Sequence, residues 1–230
     1  MTLHRAMHVT VIAKQPRPGL VKTRLCPPCT HGEASAVAAA ALTDTLDAID
    51  RLAVLSPTTL ERVLLFDGDP TDWVRPGWRT VPQRGDGLGD RLANGFDDLG
   101  SGVIVGMETP HVIGALGAAF DAIRHGHDAI GLATDGGYWA IALSTVDRRV
   151  LHDVPMSTSS TGIAQLRRLH SLGRSVVRLP IARDLDTFDD LVDAAARPAG
   201  APTLRAVAGE VIERVRTRAP GGDACGDVIG

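Results

Sequence analysis

Short runs of β-branched and aliphatic residues alternate along this chain with longer stretches whose apolar positions recur at helical spacing. That alternation restricts the fold more than any other feature of the sequence. Met7 to Ala13 is apolar on both faces, as in a strand buried at the centre of a sheet. From Glu33 to Ala53, residues Val37, Ala38, Ala41, Leu42, Leu46 and Ile49 form one helical face, with Asp44, Asp47 and Asp50 opposite. Arg62 to Phe66 reads as a second buried strand, closed by the turn residues Asp67, Gly68, Asp69 and Pro70. Trp78 to Val81 is a short strand, and Gly85 to Arg91 is a glycine-rich entry to a helix reaching about Leu99. A strand Val103 to Gly106, a helix Val112 to Arg124 and a strand Ala129 to Ala133 continue the series.

Asp135, Gly136 and Gly137 make a turn into a strand Tyr138 to Leu143. Ser157 to Ser160 offer caps for a helix that runs to Leu172 and stops at Gly173. A last strand, Val176 to Ile181, leads to Thr187, which caps a helix Phe188 to Ala196, and a helix Thr203 to Arg216 ends the pattern. The expected architecture is a mostly parallel mixed sheet with helices on both faces. In such sheets ligands bind beyond the carboxyl ends of the strands, and the polar clusters Lys14 to Arg24, Asp67, Glu108, and Asp184 with Asp186 all fall there.

Length and composition fit one α/β domain over residues 1 to 217, with the glycine- and proline-containing residues 218 to 230 expected to form a disordered tail. The net charge of −3 conceals an asymmetry: residues 1 to 32 hold five cations and no acid, which leaves −8 for the rest. A basic patch confined to one loop suits a small anion better than nucleic acid, and an aromatic content of 3% offers little for stacking on single strands. Three cysteines make no disulfide framework, and no apolar stretch has the length of a signal peptide or membrane span, so a cytoplasmic location is expected.

The chain has two lysines, Lys14 and Lys22, among 24 basic residues, and both lie in the loop after the first strand. An ammonium held as a point charge suits phosphate, and Gly19 permits close backbone approach while Pro16 and Pro18 stiffen the path. The order Gly-Lys-Ser/Thr of a Walker loop is missing. A solvated basic turn is the plain alternative.

Glu108 follows an apolar strand and is placed either to bind a hard divalent cation or to face the dipole of the helix behind it. Asp184 and Asp186 carry the same two readings. The Asp-Gly-Gly turn before Tyr138 suits a sugar or acceptor, or a simple hairpin. The turn Gly85 to Arg91 wraps a base and ribose or merely opens a helix. Cys26 and Cys29, with His31 nearby, lack the further pair of ligands that a zinc site needs.

These stretches resemble the GT-A superfamily of nucleotide-diphospho-sugar transferases, and within it a bacterial glycosyltransferase-like branch related to the guanylyltransferase of coenzyme F420 synthesis. The matching text runs from Ala13 and Lys14 through Leu25, then Gly87 to Arg91, Gly106 to Pro110, Asp135 to Tyr138, and Asp184 to Leu191. Where that family usually has Gly-Thr/Ser-Asp-Ser/Cys-Pro, this chain has Gly106, Met107, Glu108, Thr109 and Pro110; where the family tends to have Trp-Ser-Thr, it has Met156, Ser157 and Thr158.

The resemblance implies a Rossmann-like GT-A fold with nucleotide bound by Ala13, Lys14, Pro16, Gly19, Lys22, Thr23, Arg24, Asp67, Gly87, Gly89 and Arg91. It implies an acceptor near Gly136, Gly137, Tyr138 and Thr158, and Mg²⁺ or Mn²⁺ on Glu108 and Asp186. Lys22 and Asp135 take the catalytic roles, neutralising the diphosphate and receiving an acceptor proton. The expected activity is transfer from a nucleotide sugar to a small acceptor; nucleotidyl transfer from a nucleoside triphosphate to a phosphorylated small molecule, and silent nucleotide binding, are the alternatives.

Overall fold

The computed structural model describes residues 7–56, 59–197 and 200–218. Seven strands form one sheet in the order β3-β2-β1-β4-β6-β5-β7. In chain order they are β1 (Met7–Lys14), β2 (Leu60–Asp67), β3 (Trp78–Pro82), β4 (Gly102–Gly106), β5 (Asp128–Leu132), β6 (Tyr138–Leu143) and β7 (Val176–Arg178). All neighbouring pairs are parallel except those of β6, which runs against both β4 and β5. The mostly parallel mixed sheet inferred from the alternation is therefore the one observed.

Alternate residues of the strands feed two apolar layers, as the period-two geometry of a strand requires. Val9, Val11 and Ala13 of β1 face Leu42, Leu46 and Ile49 of α1 (His31–Leu55), with Leu116 and Phe120 of α3 (Leu116–Arg124) in the same cluster. On the other face Ile104 and Ile141 meet Phe96 of α2 (Leu88–Leu99) and Leu169 of α4 (Thr161–Ser171). Two further helices, α5 (Phe188–Ala196) and α6 (Pro202–Thr217), pack outside α1 through Leu191, Leu204, Ala208 and Val211. The buried Asp44 of α1 accepts the backbone N–H groups of Thr203 and Leu204 at 3.2 and 2.7 Å, so an acid of α1 caps α6.

Several boundaries differ from those read in the sequence. Helix α1 begins at His31 because Thr30 and Glu33 form a capping box. The segment expected as one helix from Val112 is a 3-10 turn, Pro110–Ala115, before α3 begins at Leu116. Gly114 and Gly117 weaken an α-helix there. Strand β7 ends at Arg178, since Pro180 has no N–H to donate, and only a bridge between Ala133 and Ala182 continues the pairing. Arg218, counted in the sequence with the tail, is held by Glu33 at 2.5 Å and by the Pro28 carbonyl at 3.2 Å; the rest of that tail lies outside the described residues. Among the described residues no helix is long and apolar enough to cross a membrane.

Candidate functional site

The carboxyl ends of β1 to β5 meet the amino end of β6 at one edge of the sheet, and a cavity of about 530 Å³ opens there. The end of β1 and the loop after it supply Lys14, Leu20, Val21 and Lys22 to its wall, the turn before α2 supplies Asp86 and Gly87, the first turn of α2 supplies Leu88 and Arg91, and the end of β4 with the residues after it supplies Gly106 to Thr109. The β1 loop closes through a 3-10 turn, Thr23–Leu25, with Lys22 before it in left-handed conformation at φ 50 and ψ 35. Few non-glycine residues adopt that geometry.

Lys22 is the centre of the charge arrangement. Its side chain is 2% exposed, and its Nζ lies 2.5 Å from Glu108 Oε2 and 3.4 Å from Asp186 Oδ1. Arg24, 73% exposed, meets the other oxygen of Asp186 at 3.0 Å. Behind this set, Asp184 is hydrogen-bonded to Asp135, and burial, then the charges of Asp135 and Glu108, push its carboxyl up to about 7 against the opposing pull of Lys22. Two carboxylates thus hold one buried ammonium, with Asp184 and its neighbour Asp135 behind them.

A second chamber of about 490 Å³ shares Leu88, Tyr138, Ser157 and Asp184 with the first. Arg24, Asp135, Gly137 and the hydroxyl residues Thr158, Ser159 and Thr161 complete its lining. Asp135 is fixed by accepting the Gly137 N–H at 2.8 Å, the usual way an Asp stabilises a turn. Gly136 has φ +92, and a methyl there would lie 1.9 Å from the Ser159 carbonyl, so the turn and the segment before α4 need glycine to pass each other. Tyr138 donates to Gln165 Oε1 at 3.4 Å, and burial raises its phenol.

The residues expected from the sequence separate into three groups. Ala13, Lys14, Lys22, Gly87, Arg91, Glu108 and Tyr138 line the first chamber, and Arg24, Asp135, Gly137, Tyr138 and Thr158 the second. Asp67 and Gly136 act from behind, Asp67 by holding Arg91 at 2.7 Å. Pro16, Gly19, Thr23 and Gly89 line neither chamber: Gly19 turns the loop at φ +77, and Gly89 faces Leu151 and Met156.

Asp186 is also absent from both linings and is engaged by Lys22 and Arg24, whereas Asp184, two residues earlier, lines both chambers. Alternation along the extended segment did not separate them, because two residues apart is one face. Gln83 escaped notice in the sequence. Its amide donates to the carbonyls of Ala13 and Leu65 at 2.7 and 3.0 Å and its oxygen accepts from Arg91, so one side chain ties the ends of β1 and β2 to α2. A polar residue directly after a strand was the available signal.

Carboxylate oxygens are the donors that Mg²⁺ or Mn²⁺ prefers, and the negative charges of Asp135 and Glu108 that push the Asp184 carboxyl up are ones such an ion would offset. Among the described residues no three His, Cys, Asp or Glu side chains converge as a complete cage. The set fits an ion bound by one or two carboxylates with phosphate oxygens for the remainder, a common arrangement for Mg²⁺.

A family model described as an uncharacterized protein conserved in bacteria, DUF2064, matches residues 42–158, just over half of the 230 residues. Among solved structures, the chain is similar to a protein of Desulfovibrio desulfuricans G20 provisionally named a nucleotide-diphospho-sugar transferase. The TM-score is 0.77 at 23% identity, over 91% of this chain and 96% of that one. It is also similar to the bifunctional IspDF of Campylobacter jejuni, with a TM-score of 0.50 at 11% identity over 81% of this chain and 53% of that one. These likenesses are of fold, and they agree with the α/β, Rossmann-like architecture described above. No curated protein matches.

Proposed function

The chain belongs to the DUF2064 family of bacterial proteins, and from that premise and the site's geometry we propose that it is a metal-dependent transferase that moves a sugar from a nucleoside-diphosphate donor to a small acceptor. The observation that carries this reading is the pairing of two joined chambers, one walled by the lysine loop and one by hydroxyl groups, with Glu108 in the first, Asp135 in the second and Asp184 lining both. Kinship with the branch that contains the guanylyltransferase of coenzyme F420 synthesis is part of the same proposal.

In this reading Lys14 and Lys22 neutralise the diphosphate in the first chamber, and Arg91, oriented by Asp67 and Gln83, faces its nucleoside end. Glu108 and Asp184, together with phosphate oxygens, would hold a divalent ion, which would stabilise the charge that develops on the departing diphosphate. The acceptor hydroxyl sits in the second chamber among Tyr138, Ser157 and Thr158. One oxygen of Asp135 is oriented by the Gly137 N–H, leaving the carboxylate to take the acceptor's proton. The acceptor oxygen bonds to the anomeric carbon, and the electron pair of the broken C–O bond leaves on the diphosphate.

The test is a panel of nucleotide sugars and nucleoside triphosphates, each with and without Mn²⁺, read by thermal shift and by product. A bound donor raises the melting temperature by mass action. Release of a nucleoside diphosphate supports sugar transfer, release of pyrophosphate replaces it with nucleotidyl transfer, and no shift with any nucleotide refutes both.

A further inference from the structure

We propose that Lys22 occupies the place of the divalent cation in the ligand-free protein, and so makes metal binding conditional on the nucleotide. This inference rests on the transferase reading above and concerns the order in which the site fills.

The ammonium of Lys22 is within 2.5 Å of Glu108 and 3.4 Å of Asp186, and its side chain is 98% withdrawn from solvent. A divalent ion on Glu108 would stand within a few ångströms of that ammonium. Two cations cannot share one carboxylate at such range in a partly buried site without strong repulsion. The carboxylates alone also provide too few oxygens, since no three acidic side chains converge as a cage among the described residues. A metal arriving first therefore meets an occupied and incomplete site.

The diphosphate changes both conditions. It offers Lys22 a partner of higher charge on the same side of the cavity, which releases Glu108, and it brings the oxygens that the carboxylates lack. Arg24 stays on Asp186 from the solvent side, so that acid remains neutralised when Lys22 leaves it. Metal and nucleotide consequently enter together, and free metal is not stored in the site. Lys22 is thus a positioning residue for the metal as well as a ligand for phosphate.

The experiment is a Mn²⁺ titration followed by electron paramagnetic resonance on the full chain, with Mn²⁺ alone and with Mn²⁺ plus a nucleoside diphosphate. Lys22→Met keeps the length of the side chain and removes the charge; Lys22→Gln serves if the methionine variant fails a melting check. The wild type is expected to bind Mn²⁺ alone at least about 10-fold more weakly than with nucleotide, and the variant to bind Mn²⁺ alone at least about 10-fold more tightly than the wild type, each a step of about 1.4 kcal/mol. Tight nucleotide-independent binding by the wild type overturns the proposal whatever the variants do. Equal Mn²⁺ affinity in variant and wild type, with nucleotide binding preserved in the wild type, overturns it and leaves the transferase reading intact. Failure of the wild type to bind nucleotide removes the transferase reading itself.

Discussion

Asp135 and Asp184 share a hydrogen bond at the junction of the two chambers, and burial together with the neighbouring Asp135 and Glu108 charges lifts the Asp184 carboxyl from 3.8 to about 7. The folded protein therefore keeps a proton there that the unfolded chain has lost, across the window from about pH 4 to pH 7. Stability from this group is present below that window and is lost as pH rises through it. Ligand-free protein is expected to melt at progressively lower temperature from pH 5 to pH 8, and Asp184→Asn to flatten the profile. Parallel profiles for the two proteins would remove Asp184 from the account.

Gly87 presents an open path to the first chamber: its backbone is extended, at φ −144, and a methyl there meets nothing within 4 Å. Gly87→Ala is expected to change stability by no more than about 0.5 kcal/mol, as for other substitutions that disturb no contact. If nucleotide lies against this turn, the same variant weakens nucleotide binding about 10-fold, or about 1.4 kcal/mol. Calorimetry and melting on one preparation separate the two effects. Unchanged affinity would move the nucleotide away from the turn.

Gly136 is the contrary case. With φ +92 and a methyl 1.9 Å from the Ser159 carbonyl, Gly136→Ala must displace either the Asp135 turn or the segment before α4. A loss of about 3 kcal/mol or more is expected from combined strain and overlap. Urea unfolding measures it; a wild-type midpoint would show that the two segments are free to separate.

Asp44 is fully buried and spends both oxygens on the first N–H groups of α6. Asp44→Ala is expected to cost about 2–3 kcal/mol, the scale for losing hydrogen bonds to a charged, buried acceptor. Asp44→Asn keeps one acceptor oxygen and should cost less. Equal losses in the two variants would show that charge, and not the acceptor, matters there.

The strands and the edge at which the site lies were legible because both follow from local pattern. Runs such as Val9 to Val11 and Val103 to Val105 are buried on both faces, and residues that follow such runs stand at the sheet's end. The direction of β6 was not legible. Nothing in Tyr138 to Leu143 distinguishes an antiparallel strand, and the Asp-Gly-Gly turn that reverses the chain read equally as a ligand loop. Side-chain partnership was less legible still: Lys22 with Glu108, 86 positions apart, and Lys22 with Asp186, 164 apart, depend on the order in which strands assemble. The choice between Asp184 and Asp186 depends on which one Lys22 and Arg24 already hold.

The reversal of β6 has a consequence for how such a site can change. Because β6 runs away from the ligand edge, the chain from Ser144 to Ser160 must travel back along the molecule to deliver Ser157, Thr158 and Ser159 to the second chamber. The first chamber takes its wall mainly from connections that follow β1, β3 and β4 directly. Sequence in the return segment can be rewritten with little disturbance of the lysine loop, since the two are separate loops and loops tolerate change better than the elements they join. The two chambers share Leu88, Tyr138, Ser157 and Asp184, so changes in the return segment at Thr158 and Ser159 reshape the second chamber while the wall that the first takes from the lysine loop stays in place.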